Sequence, residues 1–140
     1  MWLWVDSSDD LAWGVHSLSA SESGVTISAR VTASKVTYDP GDGSPPVVCN
    51  SAGSSRPWNP NELMEKRSPS RCEHVYMKTN TLGDRNSRYT VSATVTWTVA
   101  WTSNDGQSGS FTLDVASAES LSIHVGEIRV VRVAPPKPVR

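Results

Sequence analysis

The clearest pattern in the chain is a regular alternation of apolar and polar side chains over residues 89–102. The apolar set is Tyr89, Val91, Ala93, Val95, Trp97, Val99 and Trp101. Thr or Ser fills nearly every position between them, and a period of two puts the two sets on opposite faces of an extended chain. The pattern therefore predicts a long, half-buried β-strand. An Asp-Gly pair follows at Asp105 and Gly106, which predicts a hairpin turn.

Weaker alternation predicts further strands on both sides of this one. After the turn, the side chains expected to face inward are Phe111, Leu113 and Val115. Leu121, Ile123 and Val125 then alternate with Ser122 and His124. An apolar run over residues 128–133 predicts the last strand. Upstream, residues 25–31 alternate, and Val36 with Tyr38 predicts a separate next strand. Strands without intervening helical patterns favour an all-β fold.

The beginning of the chain is less regular. Trp2 and Trp4 suit a short edge strand or a loosely docked segment, and residues 6–23 are polar and predict a loop. Trp13 and Val15 could form a brief strand inside it.

One long segment, residues 50–71, interrupts the β pattern and is rich in Ser, Pro and Arg. Within it, Asn59 suits the N-cap and Pro60 the first residue of a short helix that would end near Arg67. A loop of this length in a compact domain is usually pinned or functional.

Length and charge limit the classes of protein to consider. A chain of 140 residues fits one domain, which we place at residues 1–133, with a Pro-rich tail or linker at residues 134–140. The net charge is -1 and the sequence has no basic block, so nothing in it predicts binding to nucleic acid. No apolar run approaches the roughly 20 residues that membrane insertion needs. The sequence contains neither a P-loop nor a dinucleotide-binding glycine pattern, so it predicts no cofactor.

The two cysteines flank the insertion. Cys49 and Cys72 would more often be reduced thiols in a cytosolic protein. In a Ser- and Thr-rich all-β chain an exported protein is the natural interpretation, and the two would then form a disulfide that closes the insertion at its neck.

Three short motifs occur in an order that resembles a known family. They are Tyr38-Asp39-Pro40-Gly41-Asp42-Gly43, His74-Val75-Tyr76 and Tyr89-Thr90-Val91. This order is similar to that of the PKD (polycystic-kidney-disease type) domain, an immunoglobulin-like β-sandwich found mostly outside cells. The resemblance covers about residues 25–115. It departs from the family pattern at Tyr38 and Pro40, in the long insertion, and in the tryptophans Trp97 and Trp101, and these departures look like a subgroup in actinobacterial surface or secreted proteins.

The resemblance implies a fold and a location more than an activity. It implies an all-β, immunoglobulin-like sandwich that carries a disulfide-closed insertion with room for one short helix. The expected function is that of an extracellular, non-catalytic binding or spacer domain of a larger surface or secreted protein. Its partner, a protein or a glycan at the cell surface, is not identified by the sequence. We expect His74 and Tyr76 to lie on a strand and to pack against the Gly41-Asp42-Gly43 turn, and we expect Asp42 and His74 to be structural residues.

Two alternative functions remain open at this stage. A carbohydrate- or cell-wall-binding module would use the loop tryptophans Trp13 and Trp58 as flat platforms, with the basic side chains of Arg56, Arg67 and Arg71 near the contact. An enzyme is the weaker alternative, because the histidines lie in no catalytic motif. Asp39 and Asp42 are too few ligands for calcium by themselves, so the sequence leaves that question undecided.

Overall fold

The computed structural model describes residues 1–6, 12–53, 59, 61, 68, 70–79, 87–117 and 119–126. Their regular structure is entirely β, with six strands in one antiparallel sheet. The strands are β1 (Val15–Glu22), β2 (Val25–Asp39), β3 (Val47–Cys49), β4 (Tyr89–Ser103), β5 (Ser108–Ala116) and β6 (Leu121–Ile123). The order is β1-β2-β4-β5, with β3 paired to β2 and β6 paired to β4. The all-β prediction is confirmed.

The two central strands are long and pair along almost their whole length. β2 and β4 each have 15 residues, and their register runs from Ile27 opposite Ser103 to Asp39 opposite Ser92. The prediction of two separate strands over residues 25–38 is wrong, because a bulge at Ser34 lets a single strand continue. The Ser34 hydroxyl donates a hydrogen bond of 2.9 Å to the Thr96 carbonyl oxygen at that point. The extra residue keeps Val36 on the same face as Ala33, which explains the shifted alternation.

β1 corrects the prediction of a loop over residues 6–23. It pairs with β2 from Val15 opposite Thr32 to Glu22 opposite Val25. Ser23 and Gly24 form the turn with positive φ angles of 50° and 85°, as a tight two-residue hairpin requires. The strand was missed because Ser occupies much of it, so its stability comes from pairing with β2 and not from its own apolar face.

The turn between β4 and β5 joins the two hairpins at one end of the sheet. The predicted Asp-Gly turn is present, with Gly106 at a φ of 89°. Asn104 accepts a hydrogen bond of 3.0 Å from the Thr26 amide and donates one of 3.0 Å to the Gly24 carbonyl. The Asn104 amide also donates to the Thr26 carbonyl. One side chain thus ties the β1–β2 turn to the β4–β5 turn.

The buried core lies at the opposite end of the sheet. It is a cluster of Leu3, Val36, Tyr38, Cys49 and Cys72, in which Val36 is fully buried. Trp2 and Trp4 form isolated bridges with Glu73 and Gly53 and not a full edge strand. The segment of His74 and Tyr76, which we expected to be a strand, is extended chain whose one bridge is at Glu73.

Burial differs sharply between the two ends of the same sheet face. We predicted that the side chains of Phe111, Leu113 and Val115 face the interior of the protein. They are not buried, since they are 54%, 51% and 46% exposed. Their register opposite Val99, Trp97 and Val95 does put them on the apolar face, as the alternation predicts. Among the described residues nothing covers the end of that face near the hairpin turns.

Two sequence predictions fall outside the described residues. They are the short helix over residues 60–67, of which only Asn61 is described, and the last strand over residues 128–133. The tail at residues 134–140 lies outside as well.

The buried indole of Trp97 provides a test of the core. Its ring packs against His16 at a centroid distance of 5.6 Å, and the residue is buried. We expect Trp97→Ala to lower the free energy of unfolding by about 3–5 kcal/mol, because it leaves a cavity in the core. Chemical denaturation measures this, with Trp4→Ala as the control, since Trp4 is 41% exposed and should lose much less. Equal losses for the two variants would contradict the burial seen here.

Candidate functional site

The turn that follows β2 is fixed by two aspartates that bond to the backbone ahead of them. The Asp39 carboxylate accepts a hydrogen bond of 2.9 Å from the Gly41 amide. The Asp42 carboxylate accepts one of 3.0 Å from the Ser44 amide and one of 2.5 Å from the Ser44 hydroxyl. Such local bonds are what favour Asp in turns. The carboxylates therefore hold the shape of the corner.

Gly41 is required at this corner for two reasons. Its φ is 75°, in the left-handed region that favours glycine. A Cβ added there would also collide with the backbone of Thr90, the second residue of β4. The close approach of the Gly41 and Thr90 backbones, together with the positive φ angle, explains why position 41 is a glycine.

The His-x-Tyr segment meets this corner through two side-chain bonds. His74 Nε2 lies 2.8 Å from Asp42 Oδ2, and these side chains are only 10% and 11% exposed. The Tyr76 hydroxyl donates a bond of 3.0 Å to the carbonyl oxygen of Pro40, which is fully buried. The prediction that His74 and Tyr76 pack against the turn is confirmed.

The ring of Tyr76 also connects the corner to β4. It packs edge-on against His74 at 4.5 Å and stacks on Tyr89 at 5.2 Å. Burial, followed by the negative charge of Asp42, raises the pKa of Tyr76 to about 12. The hydroxyl thus stays protonated as the donor to Pro40. All three sequence motifs meet here, and we call this group of Asp42, His74, Tyr76 and Tyr89 the corner cluster.

Hydrogen bonding strongly favours the ionised form of Asp42. The Ser44 hydroxyl contributes most, with His74 and the Ser44 amide behind it, and together they lower the pKa of Asp42 from 3.8 to about 2 against an opposing effect of burial. Both carboxylate oxygens are already engaged within the corner. This arrangement orients a turn, and it leaves Asp42 little capacity to act as a base.

The disulfide that the sequence favoured is present. Cys49, the last residue of β3, pairs with Cys72 across a Cα–Cα distance of 5.7 Å. Both cysteines are buried in the core cluster, and the Leu3 amide donates to the Cys72 carbonyl oxygen at 3.0 Å. The bridge therefore joins the neck of the insertion to the sheet and to the first residues of the chain.

Of the five residues suggested for ligand contact, the structure describes Trp13 and Arg71. Trp13 is half-buried and packs against the core cluster, so its ring is partly used in anchoring the chain. Arg71 is exposed beside Cys72 and has a positive φ of 58°. Arg56, Trp58 and Arg67 lie outside the described residues. In the part of the chain that is described, no group of three or more His, Cys, Asp or Glu side chains is placed to hold a metal ion.

Two features of this region escaped the sequence reasoning. The first is the N-terminal amino group, which donates a hydrogen bond of 2.5 Å to the His74 carbonyl oxygen. The second is an apolar cavity of about 310 Å³ between the first residues and the sheet, lined by Trp2, Trp4, Tyr38 and Val91 among others. Burial raises the pKa of Tyr38 to about 12. The apolar run Trp2-Leu3-Trp4 is the feature of the sequence from which packing of the first residues against the sheet could have been predicted.

The third missed feature is the open apolar surface at the hairpin end, which we call the distal face. It is formed by Leu18, Ile27, Trp101, Phe111 and Leu113. The indole of Trp101 lies against Gly109 on the neighbouring strand, where a Cβ would come within 2.9 Å of the ring. Alternation identified the face, and only the coordinates show that it is uncovered.

The lowered pKa of Asp42 predicts a particular acid dependence of stability. Because the folded-state pKa is below the ordinary value of 3.8, Asp42 stabilises the fold above that pH and loses its contribution as the pH falls towards about 2. We expect Asp42→Asn to lower the melting temperature at pH 7, and the gap from the unmodified protein to shrink between pH 4 and pH 2. In a Ser44→Ala background the same gap should be smaller at pH 7. A gap that stays constant from pH 7 to pH 2 would contradict the hydrogen-bonded geometry.

Removal of the disulfide tests the neck of the insertion. The bridge joins residues 23 positions apart, and loop closure of this size contributes about 3 kcal/mol. We expect the Cys49→Ser, Cys72→Ser double variant to unfold at a clearly lower denaturant concentration, and a reductant to have the same effect on the unmodified chain but none on the variant. A melting curve that reductant does not change would count against the bridge.

In the part of the chain that is described, no helical segment has the length and apolar character needed to cross a bilayer. Comparison of the chain with protein-family models, with curated proteins and with solved structures finds no match.

Proposed function

We propose that this chain is a non-catalytic binding or spacer domain of a larger surface or secreted protein, and that it works by contact with another protein. The distal face is the observation that carries this proposal. Its exposed side chains are large and apolar, and contiguous apolar patches on soluble proteins usually mark interaction sites.

The arrangement of the polar side chains supports a non-catalytic role. Three side chains in the sequence motifs could take part in acid–base chemistry: Asp42, His74 and Tyr76. All three form hydrogen bonds to each other or to the backbone of the corner. In this arrangement they position β2, the extended segment and β4 relative to one another. Their hydrogen bonds therefore support a structural role.

The disulfide and the corner cluster support an exported, PKD-like domain. A disulfide is typical of proteins that work in an oxidising compartment. The residues of the PKD-like motifs come together in space, as the resemblance implies. The described sheet would then be one layer of a two-layer sandwich, with the distal face directed at the second layer or at a partner.

A glycan-binding function has weaker support than protein contact. Trp13 is packed against the core, and the distal face presents apolar side chains with few hydrogen-bonding groups to orient a sugar. A glycan array with the intact domain separates the two functions.

Retention on intact cells of the producing organism tests the proposal directly. Labelled domain should be retained on these cells, and Leu113→Lys should reduce its retention at least tenfold. Thr112→Lys is the matched control, because Thr112 pairs with Thr98 on the opposite face of the same strands and should leave retention unchanged. Equal retention of both variants, or glycan binding that Leu113→Lys does not affect, would overturn the proposal.

A further inference from the structure

The apolar cavity between the first residues and the sheet, which we call the N-terminal cavity, has a volume of about 310 Å³. Residues 1–4 form one side of it. The sheet side includes Tyr38 and Ala93, which lie opposite each other on β2 and β4, and Val91 and Leu121, which pair on β4 and β6. Small-molecule sites have volumes of about 300–1,000 Å³, so this cavity suits a small ligand.

Three aromatic residues line the cavity, and they favour a positively charged ligand. They are Trp2, Trp4 and Tyr38. The face of an aromatic ring carries partial negative charge, and the indole ring attracts cations most strongly. Trp2 and Tyr38 are buried, and removal from water strengthens such an attraction. The aromatic lining therefore suits an organic cation.

The charges around the cavity favour the same class of ligand. Glu119 is the one charged side chain among the described residues that line it. The Met1 amino group also belongs to the lining, but it donates a hydrogen bond to the His74 carbonyl oxygen, and burial lowers its pKa. A cation in the cavity would thus meet a carboxylate, and the described lining includes no lysine or arginine to oppose it.

The supply of hydrogen-bonding groups decides which kind of cation fits. A primary ammonium group has three N–H donors, which need acceptors once water is removed. Ser92 follows Val91 in β4, so its side chain lies on the opposite face of that strand. The Ser117 hydroxyl already donates to the Glu119 carbonyl oxygen. The cavity therefore suits a quaternary ammonium group, which has no N–H donor to satisfy.

The Tyr38 hydroxyl offers one polar contact. The side chain is buried, and in the described part of the chain its hydroxyl has no hydrogen-bond partner. An unpaired buried hydroxyl costs free energy, and a ligand in the adjoining cavity recovers this cost by bonding to it. The ligand that meets all these features is a quaternary ammonium ion with a hydroxyl or ester oxygen near the nitrogen.

We propose that the N-terminal cavity binds a small quaternary ammonium compound of the choline type, either free or as the head group of a lipid. The ammonium group contacts the indoles of Trp2 and Trp4 and is balanced by the Glu119 carboxylate. The ligand oxygen bonds to the Tyr38 hydroxyl. This site goes beyond the proposed function, because the cavity shares no residue with the distal face.

Titration of the intact, isotope-labelled chain with choline, followed by the NMR signals of the indole N–H groups, tests the site. We expect saturable shifts of the Trp2 and Trp4 signals, with a dissociation constant below about 10 mM. The uncharged analogue, a dimethylbutanol in which carbon replaces the nitrogen of choline, should bind at least tenfold more weakly. Choline that shifts neither signal at about 50 mM, or equal binding of the two compounds, would overturn the inference.

Removal of the carboxylate separates a bound cation from general attraction by the protein's charge. Glu119→Gln should weaken choline binding at least threefold and leave binding of the dimethylbutanol unchanged. Glu22→Gln is the matched control, because Glu22 is exposed at the end of β1 and lies outside the cavity. Since Glu119 is exposed as well, thermal melts should show two folded variants. Equal choline affinity of the two variants would count against the site.

Tyr38→Phe tests the hydroxyl with a readout that a purely structural role would not give. It should weaken choline binding and leave binding of tetramethylammonium, which has no oxygen, unchanged. The melting temperature of the free chain should stay the same or rise, because the variant removes an unpaired buried hydroxyl. A lower melting temperature with equal loss of both ligands would show that the hydroxyl supports the fold, and would overturn its role as a ligand contact.

Vesicles distinguish the two sources of the ligand. Co-sedimentation of the chain with phosphatidylcholine vesicles and not with phosphatidylglycerol vesicles, weakened by Glu119→Gln, would assign the lipid head group. Choline binding without co-sedimentation would assign the free compound. Leu113→Lys, on the distal face, should bind choline like the unmodified chain, so this inference and the protein-contact proposal can fail separately. If neither choline nor vesicles bind, the inference is overturned.

Discussion

The pairing of β2 with β4 is the constraint on which the rest of the structure depends. These two strands form a single antiparallel ladder from Ile27 opposite Ser103 to Asp39 opposite Ser92. β1, β3, β5 and β6 all attach to one of these two strands. The ladder is fixed at one end by the corner cluster and the disulfide, and at the other by Asn104. Because register is locked at both ends, a slip that would exchange the faces is strongly opposed.

The sequence predicted the centre of this sheet better than its edges. β4 was identifiable because each apolar position alternates with Thr or Ser, and the Asp-Gly pair located its turn. β1 was missed because an edge strand exposed on both sides needs no apolar periodicity, and its partner strand supplies its hydrogen bonds. The bulge at Ser34 was missed for a related reason, because a one-residue insertion looks like the end of a strand in a pattern of period two. Local patterns thus identify strands, whereas partner strands decide where they continue.

The same distinction applies to the candidate site. The corner cluster was predictable because Gly41 and Asp42 have local turn chemistry, and because the PKD-like order associates them with His74 and Tyr76. The contact of the N-terminal amino group with His74 had no local signal, since it joins residues 73 positions apart. Alternation placed Phe111 and Leu113 on the correct face but could not predict their exposure. Periodicity determines which way a side chain points, and the rest of the molecule determines whether anything lies against it.

The division of one sheet face into a closed end and an open end connects stability with the proposed function. At the closed end, the core cluster packs around the disulfide and buries Val36 and Cys72. The open end contributes exposed apolar area, which by itself opposes solubility. It remains ordered because the β2–β4 ladder and Asn104 extend the rigidity of the closed end to the hairpin turns. A domain with this division can present a stiff apolar surface without unfolding. A partner that buries this surface does not have to order it first, because the β2–β4 ladder already does so.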